Sequence, residues 1–82
     1  MSEQERLRNQ GRLAELQVKR KELEIRISGL RDAVRAGCDE FAPVESLSTD
    51  VIAAQAIEMA QAQIEYIETS KLIDAIKRAL GK

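Results

Sequence analysis

The sequence predicts an all-α fold: an antiparallel two-helix coiled-coil hairpin that dimerises into a four-helix bundle. Three observations predict it. Apolar residues recur at heptad spacing in the first half of the 82-residue chain, a wider apolar stripe occupies the second half, and a segment with proline and glycine separates them. We expect one helical-hairpin domain over residues 1–82, divided into a polar N-terminal extension of helix 1 (1–12), helix 1 (13–36), a connection (37–48) and helix 2 (49–80).

Helix 1 carries a single narrow apolar row with the a/d spacing of a coiled coil. Its members are Leu13, Leu16, Leu23, Ile27, Leu30 and Val34. Arg20 fills the a position between Leu16 and Leu23, where a charge costs stability but can fix register or oligomeric state. Residues 1–12 are polar, and we expect them to project beyond the bundle or to fray.

Helix 2 carries two apolar rows, which we expect to lie beside each other. The first contains Ile52, Ala56, Met59, Tyr66, Ile73 and Leu80, and the second contains Ala53, Ile57, Ala60, Ile64 and Ile67. A helix with two apolar rows usually contacts two partners. Ser48 is the expected N-cap of helix 2, and Gly81 its C-terminal stop.

The distribution of charge favours an antiparallel arrangement. Residues 1–36 hold nine Lys or Arg against six Asp or Glu, whereas the remainder holds four against eight. Folding the chain back places opposite charges side by side: Lys19 and Arg20 near Glu65 and Glu68, Arg26, Arg31 and Arg35 near Asp50 and Glu58, and Glu3 and Glu5 near Lys77, Arg78 and Lys82. Such pairs select the direction of packing rather than hold the fold together. The same alignment sets Gly29 opposite Ala53, Ala56 and Ala60, where it would allow a close approach.

A single hairpin would leave the second row of helix 2 exposed, so we expect a homodimer that buries both rows. The predicted helical interface comprises Leu13, Leu16, Leu23, Ile27, Leu30, Val34, Ile52, Ala56, Met59, Ala60, Ile64, Tyr66, Ile67, Ile73 and Leu80. In the connection, Gly37 should stop helix 1, and Phe41, Val44 and Leu47 should cover the end of the bundle. Cys38 is expected to be a partly exposed bystander.

The chain shows no residues suited to catalysis, cofactor binding or metal binding. It has no histidine and one cysteine, which excludes the usual zinc-ligand sets and an internal disulfide. It also lacks a glycine-rich phosphate loop and a Ser-His-Asp set. We therefore predict a protein that is not an enzyme and needs no cofactor.

The predicted function is a small structural or protein-interaction module, an adaptor or regulator that self-associates through helical packing and binds an unidentified protein. Charged hairpins of this size are frequent among bacterial and phage accessory proteins. The alternative is a nucleic-acid-binding accessory protein that uses the basic face of helix 1, with contacts from Arg12, Lys19, Arg20, Lys21 and Arg26. Acidic residues interleave with these bases, and two aromatic residues supply no stacking platform.

No apolar run is long enough to span a membrane, and the N-terminus carries charge from its third residue. From the sequence we expect a cytoplasmic protein with no membrane partner.

Overall fold

A computed structural model describes residues 1–81 and shows an all-α hairpin of two helices that pack against each other. Helix α1 spans Glu3–Gly37, a single 3-10 turn spans Val44–Ser46, and helix α2 spans Thr49–Ala79. The predicted two-helix hairpin is confirmed. Lys82, which the charge pattern sets near Glu3 and Glu5, lies outside the described residues.

The hairpin is a thin rod of 63 × 15 × 14 Å with a radius of gyration of 18.5 Å. A compact domain of this length would have a radius of gyration of about 12 Å. Two helices side by side fill the whole cross-section, so no residue lies more than about one helix diameter from solvent. The rod therefore has a seam between two helices rather than a central core.

Helix α1 begins ten residues before the predicted seam because its first turn is capped. The Ser2 hydroxyl accepts a hydrogen bond from the Glu5 backbone N–H at 3.2 Å. Ser2 and Glu5 have the spacing of a capping box, and Glu3 and Glu5 place negative charge at the positive end of the helix dipole. The polar extension is thus helical from Glu3, with mostly exposed side chains.

Helix α2 begins and ends at the predicted signals. The Ser48 carbonyl accepts a hydrogen bond from the Ile52 N–H at 3.0 Å, although the Ser48 side chain makes no capping bond. At the other end Gly81 has a φ of 75°, the left-handed conformation that favours glycine. Its N–H donates to the Arg78 carbonyl at 3.1 Å.

The seam between α1 and α2 follows a heptad pattern on both helices. Its buried residues are Leu13 and Leu23 of α1, Ala62, Thr69, Ile73 and Ile76 of α2, and Leu80, which caps the C-terminus of α2. The half-buried residues that continue it are Leu16, Arg20, Ile27, Leu30 and Val34 on α1, and Ile52, Ala56, Met59 and Tyr66 on α2. Arg20 therefore lies at the a position that the sequence predicts for it.

Burial along the seam is uneven. Leu13, Ile73, Ile76 and Leu80 form one buried cluster, with Leu16 packed against it, in the half of the rod that holds the chain ends. In the half that holds the connection, no residue from Glu24 to Gln61 is fully buried. The connection half is therefore the more weakly packed part of the hairpin.

Two interhelical ion pairs fix the antiparallel alignment. Lys19 Nζ lies 3.0 Å from Glu65 Oε1, and Arg26 Nη2 lies 3.9 Å from Glu58 Oε2. Both pairs were predicted from the charge pattern, and both are confirmed. Their side chains are about half exposed, so each pair contributes at most about 1 kcal/mol. They select the direction of packing, and burial at the seam supplies most of the stability.

The close approach expected at Gly29 occurs at Gly37 instead. A Cβ added to Gly37 would lie 2.9 Å from Ile52 Cγ1, whereas a Cβ at Gly29 would meet nothing within 4 Å. The prediction for Gly29 was wrong because Gly29 lies one residue off the seam, and Gly37 continues the heptad seven residues after Leu30. Helix α1 does end at Gly37, as predicted.

Replacing Gly29 by alanine should raise the free energy of unfolding by about 0.5–1 kcal/mol. The added methyl group has open space, and alanine loses less backbone entropy in a helix interior than glycine does. Urea unfolding followed by far-UV circular dichroism measures the change. Gly37→Ala is the matched control and should be neutral or destabilising, because its methyl group must displace Ile52. A stabilisation at Gly37 equal to that at Gly29 would contradict this explanation.

The connection does not cover the end of the hairpin as predicted. Phe41 is 86% exposed and Val44 is 82% exposed, whereas Leu47 is half-buried. Two tight local turns account for the difference: the Asp39 carboxylate accepts the Phe41 N–H at 3.0 Å, and the Ser46 hydroxyl donates to the Pro43 carbonyl at 2.8 Å. These turns provide hydrogen bonds for the backbone within the connection and leave the side chains of Phe41 and Val44 in solvent. Cys38 is free and exposed.

Candidate interaction surface

An apolar strip runs along the side of α2 that faces away from α1. We call it the outer strip, and it consists of Ala53, Ile57, Ala60, Ile64 and Ile67. Its isoleucines are well exposed, at 59% for Ile57, 59% for Ile64 and 46% for Ile67. With 3.6 residues per turn, the strip lies about 140° around the helix from the seam. The second row is therefore nearly opposite the first, not beside it as predicted.

The outer strip carries no charge along its length. Between Ala53 and Ile67 the only charged residues of α2 are Glu58 and Glu65, and both are paired with bases on α1. Most residues that flank the strip are small or uncharged, namely Ala54, Ala56, Gln61 and Gln63, and Glu68 is a charged flanking residue beside Ile64 and Ile67. An exposed apolar strip with largely uncharged borders is the composition expected at the centre of a protein interface.

Charged residues mark the two ends of the outer strip. Asp50, Ile57, Ile64 and Lys71 recur every seven residues and therefore lie in one line along α2. The line begins with a negative charge, continues through two isoleucines and ends with a positive charge. The two ends of the outer strip therefore carry opposite charges.

The strip continues into an open apolar groove at the end of the hairpin. This groove has a volume of about 460 Å³, and its lining includes Ala42, Val44 and Leu47 of the connection and Ile52, Ala53 and Ala56 of α2. Ala53 belongs to both features, so the groove and the strip form one continuous surface. Exposed Phe41 lies in the same connection.

The outward side of α1 is less apolar. Leu7, Val18 and Ile25 are exposed, but Lys21 interrupts their row and forms an ion pair with Glu24 at 3.7 Å. We therefore take the outer strip of α2 as the stronger candidate for an interface.

Most of the predicted nucleic-acid contacts are engaged within the hairpin. Lys19 and Arg26 pair with α2, Lys21 pairs with Glu24, and Arg20 is half-buried at the seam. Only Arg12 among the five is exposed without one of these three ion pairs. Nucleic-acid binding stays a prediction, and these interactions reduce the positive charge that the face would offer to phosphates.

Within residues 1–81, no three or more Cys, Asp or Glu side chains come together in a way that could hold a metal ion. No helix in the same part of the chain is long and apolar enough to cross a membrane. All buried side-chain nitrogen and oxygen atoms described there have a hydrogen-bond partner. The outer strip with its groove is thus the most distinctive surface that the structure describes.

Sequence reasoning missed three buried seam residues, Ala62, Thr69 and Ile76. Each lies three residues after a member of the first row, at the second apolar position of the heptad. A strict heptad count from Met59 would have found them. A search for large apolar residues passes over Ala62 and Thr69 because one is small and the other is polar.

Comparisons of the chain with protein families, characterised proteins and solved structures find no match.

Proposed function

We propose that this protein is a non-enzymatic structural and protein-interaction module that self-associates as a homodimer through the outer strip of α2. The exposed, uncharged outer strip is the observation that carries the proposal. Two hairpins joined there form a four-helix assembly with the α2 helices in the middle and the α1 helices outside. Because the strip lies nearly opposite the seam, this assembly is flatter than a square four-helix bundle.

Burial of the three isoleucines of the outer strip favours binding of a second copy. Full burial of an isoleucine side chain is worth about 1.5–3 kcal/mol relative to full exposure. The side chains of Ile57, Ile64 and Ile67 are each roughly half exposed. Each copy contributes these three side chains, so a dimer would bury six. The gain is comparable with the roughly 4–15 kcal/mol that association costs in lost freedom. The dimer should therefore be reversible and should dissociate on dilution.

The connection half has no fully buried residue from Glu24 to Gln61, and the larger part of the outer strip lies in that half. A domain of this length rarely retains more than roughly 3–5 kcal/mol of stability. A second copy at the outer strip would add contacts where the hairpin packs least.

As an adaptor or regulator, the dimer would present Phe41, at the connection end of each hairpin, to another protein. Phe41 is 86% exposed, and Asp39 and Glu40 precede it in the chain. Exposed aromatic residues are frequent anchors in protein interfaces.

Sedimentation equilibrium over a concentration series tests the proposal. We expect a mass approaching twice the 9.2 kDa of one chain at high concentration, with dissociation on dilution. Ile64→Lys should raise the dissociation constant by roughly tenfold or more, because it places a charge in the apolar contact. Ile25→Lys makes the same change at an exposed position of α1 and should leave the mass unchanged. A monomeric wild-type chain with full helicity at high concentration would refute the proposed function.

A further inference from the structure

We propose that the α2 helices of two copies pack antiparallel about a twofold axis that passes near Ala60 and Gln61, so that Asp50 of each copy faces Lys71 of the partner subunit. This inference rests on the proposed self-association through the outer strip and specifies its direction and register. It commits to a second copy as the molecule that covers the strip.

This register is favoured by the line of Asp50, Ile57, Ile64 and Lys71 along α2. Its residues are spaced symmetrically about the centre of the line, and its two ends carry opposite charges. Its midpoint falls between Ala60 and Gln61. A twofold rotation about that midpoint reverses the line, which places Ile57 against Ile64 of the partner subunit and Asp50 against the partner's Lys71. Along this line apolar residues then face apolar residues, and each charge faces its opposite, in both symmetry-related halves of the contact.

Other alignments lose this match. Sliding one helix by a heptad places either Asp50 against Ile64 of the partner subunit or Lys71 against the partner's Ile57. Each shift sets a charge against an exposed isoleucine and shortens the apolar overlap. A parallel alignment in register would bring the two Asp50 residues together and the two Lys71 residues together, and like charges oppose association. The antiparallel register centred near Ala60 avoids both problems.

The groove at the end of the hairpin supports the same register independently. If Asp50 faces the partner's Lys71, the last two turns of the partner's α2 run past the connection. Those turns carry Lys77 and Arg78, whereas the connection carries the acids Asp39, Glu40 and Glu45. They would also cover the apolar groove beside Val44, which the isolated hairpin leaves open. The charge match therefore extends beyond the outer strip.

Charge reversal provides the first test. Asp50→Lys and Lys71→Asp should each raise the dimer dissociation constant by roughly tenfold, because each turns two attractive contacts into repulsive ones. The double variant Asp50→Lys/Lys71→Asp should return it to within about threefold of wild type, since the pairs are restored with reversed sign. Glu15→Lys makes the same change of charge at an exposed position of α1. It is the matched control and should leave the dimer dissociation constant unchanged.

Asp50 also lies in the first turn of α2, where its charge stabilises the helix. Circular dichroism of each variant separates loss of helix from loss of association. Lys71→Asp tests the same pairing at a position in the interior of α2, where the substitution does not remove a charge from the first turn of the helix. If both single variants weaken the dimer and the double variant does not recover, the proposed pairing is wrong.

Cross-linking provides a second test that does not depend on affinity. In a Cys38→Ser background, Asp50→Cys protein mixed with Lys71→Cys protein should form a covalent dimer with a short bismaleimide. Either protein alone should form little. Efficient cross-linking of Asp50→Cys with itself would indicate a parallel arrangement and overturn the inference, as would no cross-linking in the mixture.

These outcomes separate the two proposals. A wild-type chain that stays monomeric refutes the proposed self-association and the register with it. A wild-type dimer that lacks charge recovery or the mixed cross-link refutes the register alone. Assemblies larger than a dimer would indicate that the outer strip meets α1 of another copy, which also overturns the twofold arrangement.

Discussion

Replacing Ile73 by alanine should lower the free energy of unfolding by about 2–5 kcal/mol, which is most of the stability of a domain this small. Ile73 is the only fully buried large side chain among the described residues, at 0% exposure. It lies in the cluster with Leu13, Ile76 and Leu80. The substitution would leave a cavity between the two helices, and in so thin a rod no second layer of side chains exists to fill it. Urea unfolding followed by far-UV circular dichroism should show a strongly reduced midpoint or a largely unfolded chain.

The control for this substitution is Ile25→Ala, which removes the same atoms from an exposed position of α1. This substitution should change the free energy of unfolding by no more than about 0.5 kcal/mol, because surface substitutions rarely have larger effects and alanine favours the helix. Comparable losses at both positions would show that the buried cluster at the chain ends does not dominate stability.

Replacing Arg20 by leucine should raise the free energy of unfolding by about 1–2 kcal/mol. Arg20 is half-buried at an a position between Leu16 and Leu23, so the guanidinium group interrupts the apolar row of α1. Replacing charged groups in helical interfaces by apolar residues of similar volume is often stabilising. An increase in the urea midpoint measures the gain.

The same substitution should affect specificity. A charge at an a position disfavours alternative registers and oligomers, so Arg20→Leu should produce a broader distribution of masses in sedimentation velocity. Arg12→Leu is the matched control, because Arg12 is exposed and outside the seam. A variant that is less stable than wild type would show that Arg20 makes favourable interactions at the seam.

The structure of α1 could be predicted from the sequence to a greater extent than that of α2. The longest apolar row of α1 is interrupted only by Arg20, so the sequence indicates which face is buried, and the antiparallel alignment follows from the charges. Helix α2 has two rows with the same heptad spacing, and spacing alone does not tell which row meets α1. Burial of Thr69 and Ala62 at the seam resolves the choice in the structure.

The ends of the elements required information that periodicity does not contain. The helical start at Glu3 depends on the hydrogen bond to the Ser2 hydroxyl, a local signal that lies outside any apolar pattern. The exposure of Phe41 depends on two turns whose hydrogen bonds compete with packing over the hairpin end. Hydrophobicity alone predicts that Phe41 packs over the end of the hairpin. The hydrogen bonds of the two turns hold the connection in a conformation that leaves its side chain in solvent.

The uneven burial along the rod has a kinetic consequence. The tightest cluster joins Leu13 to Ile73, so about 60 residues must be brought together before those contacts form, and closing so long a loop costs more entropy than closing a short one. The contacts near the connection close short loops but bury little. Folding should thus begin weakly at the connection and be completed late, when the two chain ends meet. The last contacts formed would then be the most buried ones, so the hairpin would gain most of its stability only when the two ends of the chain meet.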